Sequence, residues 1–118
     1  MTYVTGYITL TCFVLLAAKY PLRKLGAHRT NAFLMRLHEA ASAVFLLAGL
    51  LHMILVLKLL GSCTVWLPVT GFAAFAVSLV LIAACHMTKD AKKKMYWHRR
   101  YSLAMFAAIA VHLILQIQ

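Results

Sequence analysis

The sequence predicts an all-α integral membrane protein, a four-helix bundle with both termini outside. Three observations carry this. Of 118 residues, 64% are hydrophobic, and the mean hydropathy is +0.88. A soluble domain of this size could not hide so much apolar surface. The apolar residues fall into four long segments, about 3–20, 34–60, 65–87 and 95–118. The basic residues collect in two places between those segments, as expected of loops on the cytoplasmic side.

The first segment has no basic stretch before it and no convincing A-x-A cleavage site, so it reads as a retained membrane helix. Pro21 is expected to stop it. Arg23, Lys24, Arg29 and Arg36 then mark an inner loop. The second segment crosses outward to a short loop around Gly61 and Ser62. The third returns inward, with Trp66 at the interface and Pro68 in its first turn, where a missing N–H does no harm. The run TKDAKKK forms a second inner loop, and the fourth segment ends outside. Each segment can span about 30 Å of hydrocarbon, the first with least to spare. The whole chain, 1–118, is one membrane domain.

The net charge of +10 does not point to nucleic acid. Eleven of the twelve basic residues lie in or beside the two inner loops, with Lys58 the exception. A nucleic-acid binder needs a basic face on a folded surface. Cys12 and Cys85 read as small apolar helix residues, and Cys63 lies in the predicted outer loop. No CxxCH occurs, which excludes covalent c-type heme attachment.

The informative feature is a set of four histidines. His38 and His52 lie 14 positions apart in the second segment, and His98 and His112 lie 14 apart in the fourth. Fourteen positions are close to four helical turns. Each pair therefore shares a helix face and spans about 21 Å. The second and fourth helices run in the same direction, so the pairs come into register. Histidine at membrane depth is costly and marks function. Two stacked pairs suit two b-type hemes, the inner one between His38 and His98, the outer one between His52 and His112. The histidine spacing is read as the only strong internal repeat.

A heme needs small residues where it passes a helix. The first pair is separated by Ala41, Ser42, Phe45, Ala48 and Gly49 on the same face, the second by Tyr101, Ser102, Met105, Ala108 and Ile109. Phe45 and Met105 fall halfway, between the two rings. The first helix offers Gly6 and Thr9 as a smooth face, the third Gly71, Ala74 and Ser78. Each ligand histidine is expected to bind iron through one nitrogen. From the other it is expected to donate to a backbone carbonyl one turn back. Two protein ligands saturate the iron, which favours electron transfer over oxygen binding.

Glu39 follows His38 directly. It reads as an interfacial carboxylate paired with Arg36 or Arg99, or as a proton acceptor beside a quinone site. Arg29, Arg36, Arg99 and Arg100 suit both membrane anchoring and heme propionates. His28 reads as loop surface, and His86 as an interfacial residue that could substitute for His98. No catalytic residue is identified, and enzymatic activity is left open. Two other readings compete. One is a quinone-reactive subunit of a membrane redox enzyme. The other is a non-heme metal carrier or structural subunit, for which acidic or thioether ligands are not arrayed with the histidines.

RLHEAASAVFLLAGLLHMILVLKLL and WHRRYSLAMFAAIAVHLILQIQ resemble the H-x13-H helices of small diheme transmembrane b-type cytochromes. They are closest in flavour to flavinylation-associated cytochromes and ferric reductase-like transmembrane domains. The resemblance covers the second and fourth helices well, and the rest in topology only. It implies axial ligation by His38, His52, His98 and His112. It also implies electron transfer across a bacterial cytoplasmic membrane, from a quinol or protein donor to an outer flavin, metal or protein acceptor. A flavin-bearing protein outside is the partner it suggests. The chain departs from full ferric reductases in having four helices and no flavin or nicotinamide domain.

Overall fold

The computed structural model describes residues 1–25, 31–58 and 66–117. They form four α-helices: α1, Thr2–Lys24; α2, Asn31–Leu57; α3, Trp66–Met87; and α4, Ala91–Ile117. All four are long and apolar enough to cross a membrane. The all-α class and the four membrane-length helices expected from the sequence are therefore present. The chain divides into two compact units, Met1–Leu55 and Val56–Gln118.

The first unit is a hairpin of α1 and α2. Its helices are antiparallel: Thr5 meets His52 near one end, and the Lys19 ammonium donates to Met35 Sδ near the other, at 2.7 Å. The second unit contains α3 and α4, also antiparallel, with Thr70 beside His112 and Cys85 beside His98. Many large apolar side chains point away from the chain, among them Leu47, Leu103 and Ile114. Acyl chains can cover such faces, and the helices satisfy their own backbone polar groups, so both demands of the bilayer are met.

Two helix ends differ from the sequence expectation. Pro21 does not stop α1; the helix continues to Lys24, and the Leu25 N–H donates to the Pro21 carbonyl at 3.2 Å. Proline keeps a helical φ, and the only bond it deletes is its own, to the carbonyl four residues back. Helix α4 begins at Ala91 rather than near 95, so most of TKDAKKK is its first turn. Asp90 is the reason. Its Oδ1 accepts the N–H groups of Lys92 and Lys93 at 2.8 and 3.2 Å. A carboxylate cap of this kind satisfies orphan donors and offsets three lysines at the positive end of the helix dipole.

Candidate functional site

In the first hairpin, α2 turns one covered face toward α1. His38, Ser42, Ala48, Gly49 and His52 are half-buried on it, and Ala41 and Phe45 are buried. Helix α4 repeats the pattern, with His98, Ser102, Ala108 and His112 half-buried and Met105 buried. The small residues and the midpoint side chains expected from the spacing thus lie on the covered strips of their helices. Helical periodicity accounts for this, because positions three and four apart share a face.

His52 is held by α1. Its Nδ1 lies 3.0 Å from the Thr2 carbonyl oxygen and 3.3 Å from Thr5 Oγ1. A carbonyl only accepts, so Nδ1 carries the proton and Nε2 carries the lone pair. Thr5 gives its own hydroxyl proton back to the Thr2 carbonyl, 2.9 Å away. Its oxygen is left to accept. The ring lies against the helix backbone at Gly6: a Cβ there would stand 3.1 Å from His52 Cε1.

His112 is held by α3 in the same way. Its Nδ1 lies 3.1 Å from Thr70 Oγ1. Thr70 commits its hydroxyl proton to the carbonyls of Trp66 and Leu67, at 3.0 and 3.1 Å. A Cβ on Gly71 would stand 3.2 Å from His112 Cε1. Below it, Cys85 Sγ lies 3.4 Å from Nδ1 of His98. The Nδ1 atom of His38 is buried.

The neighbours of His52 and His112 correct one expectation. Their Nδ1 groups reach the adjacent helix, not a carbonyl one turn back on their own. The imidazole projects sideways onto α1 or α3. Sequence reasoning chose Gly6 and Gly71 as smooth surfaces but passed over Thr2, Thr5, Thr70 and Cys85. A signal for two of them was present. Val4-Thr5-Gly6-Tyr7 recurs as Val69-Thr70-Gly71-Phe72. The histidine spacing is therefore not the only internal repeat.

Arg36, Glu39 and Arg99 are exposed, as is His86 at the end of α3. Arg100 lies over the Tyr96 ring, 4.7 Å from its centroid, and Trp97 stacks on Tyr101. His28, Arg29 and Cys63, and the loop at Gly61 and Ser62, lie outside the described residues. Among the described residues, no three His, Cys, Asp or Glu side chains converge as a metal-ion cluster. No protein family, curated protein or solved structure matches the chain.

Proposed function

We propose that this chain is a diheme b-type cytochrome that carries electrons across the cytoplasmic membrane. Its axial ligands are His38, His52, His98 and His112. The observation that supports this best is the presentation of His52. Its Nδ1 proton is given to the Thr2 carbonyl, so Nε2 offers a lone pair to iron. Metal-ligating histidines are ordinarily held this way. The threonine beside His112 makes the matching contact.

The residues present fit two hemes. Four imidazoles are available, two on each of two membrane-length helices, each pair 14 positions apart. Small side chains accompany them on the covered strips, and Phe45 and Met105 are buried midway. The pairing of His38 with His98, and of His52 with His112, rests on the sequence register and on the common direction that the sequence predicts for the second and fourth segments.

Heme, when bound, supplies one-electron chemistry. The chain supplies the rest. His38 with His98, and His52 with His112, would each hold one heme through two imidazoles and leave its iron no open site for oxygen. The apolar helices keep water out and lower the local dielectric. Arg36 and Arg99 are suited to meet propionates, and Glu39 to take a proton from a quinol on the inner side. The donor is a quinol or a protein, and the acceptor outside is a flavin-bearing protein, another protein or a metal.

The test is the absorption spectrum of the purified chain, oxidised and dithionite-reduced, with heme counted as the pyridine hemochrome. Two b hemes per chain with low-spin bands are expected. Protein from a heme-replete host that carries none would overturn the proposal.

A further inference from the structure

We infer that Thr5–Gly6 and Thr70–Gly71 are two copies of one histidine-positioning device. Both act on the same heme, the one ligated by His52 and His112. The inference rests on the diheme reading and adds to it the residues that set the potential of one of the two irons.

The two copies agree in chemistry and in dimensions. In each, a threonine hydroxyl faces Nδ1, at 3.3 Å for Thr5 and 3.1 Å for Thr70. In each, that hydroxyl gives its proton to the carbonyl three residues back, at 2.9 and 3.1 Å. In each, the next residue is a glycine whose absent Cβ would lie 3.4 or 3.5 Å from Nδ1 and closer still to Cε1. The local sequences are V-T-G-Y and V-T-G-F. Threonine and histidine are 47 residues apart in one copy and 42 in the other. The register of the contact is thus kept although the intervening chain differs in length.

Each part has one task. Glycine lets the imidazole lie on the helix backbone, which fixes its position. Threonine accepts from Nδ1 and leaves Nε2 for iron, beside the Thr2 carbonyl at His52 and through Thr70 at His112. An acceptor at Nδ1–H also pushes electron density onto the ring. A richer imidazole favours ferric over ferrous iron and lowers the potential. Valine has the shape of threonine without the acceptor. Replacing Thr5 by valine should therefore have the smaller effect, because the Thr2 carbonyl still accepts from His52, and replacing Thr70 by valine should weaken the preference for ferric iron about tenfold. For a one-electron couple, that raises the midpoint by about 59 mV.

The experiment is a potentiometric titration of the heme bands in the purified full chain. Wild type is compared with Thr5→Val, Thr70→Val, Thr5→Ser and Thr70→Ser, with heme counted in each. Both valine variants should keep two hemes and raise the same one of the two midpoints. The serine variants should restore it, and the other midpoint should stay fixed. A merely structural role would not move one midpoint and recover it with a hydroxyl. Two hemes with unchanged midpoints in both valine variants would overturn the inference and leave the diheme reading standing. So would shifts in different midpoints. If a valine variant does not assemble, Thr5→Ala and Thr70→Ala carry the same expectation. A heme-free wild type would instead remove the diheme reading itself, before any variant is titrated.

Discussion

The Nδ1 of His52 on α2 lies 3.0 Å from the Thr2 carbonyl on α1. This bond crosses between helices at the end of the hairpin where α1 begins. It sets which nitrogen is protonated, and hence which one can coordinate. A carbonyl oxygen has two lone pairs, and that of Thr2 accepts from His52 Nδ1 as well as from the Thr5 hydroxyl, 2.9 Å away.

The glycines beneath the rings give the first prediction. A methyl group on Gly71 would stand 3.2 Å from His112 Cε1, tight enough to push the ring by a few tenths of an ångström. Alanine is a better helix former than glycine by about 1 kcal/mol. Gly71→Ala should therefore still give a folded membrane protein, with a displaced ligand. Gly71→Val, with a branched side chain, should reduce heme from two per chain to one or none, as read by pyridine hemochrome. Gly6→Val should do the same through His52.

The Asp90 cap gives the second. Its carboxylate holds the N–H groups of Lys92 and Lys93. Asp90→Ala should destabilise the protein by about 1 kcal/mol, read as a lower Tm in detergent. Asp90→Asn should recover most of the loss. Its side chain still caps, but the charge facing the three lysines is gone.

Sidedness gives the third. Cys63 lies in the loop predicted to face outward. A membrane-impermeant maleimide should label it in intact cells. Buried Cys12 should stay unlabelled. A cysteine introduced as Lys93→Cys should react only after the membrane is permeabilised. Labelling of that position in intact cells would invert the orientation.

The fold was legible in the sequence because its cause is simple. Four apolar stretches of membrane length have few alternatives to helix. Helix ends were less so. Pro21 has a helical φ, so its effect depends on whether the last turn can go without one bond. Asp90 acts through two backbone N–H groups in a stretch whose lysines read as a loop. The histidines were visible because 14 positions keep them on one face. Their supports were not visible, since Thr5 reaches His52 only when α1 and α2 pair in one register. The repeated V-T-G-aromatic tetrapeptide was readable, but its purpose appears only when both copies lie beside a histidine.

The most direct test of ligation by four histidines is a heme count across single substitutions. Wild type, His38→Ala, His52→Ala, His98→Ala and His112→Ala would be purified in parallel. Pyridine hemochrome and low-temperature EPR would be recorded for each. The expected result is two low-spin hemes in wild type, with one low-spin bis-histidine signal lost in every variant. The same signal should vanish for His52→Ala and His112→Ala, and the other for His38→Ala and His98→Ala. Two intact low-spin hemes in any of the four variants would contradict it.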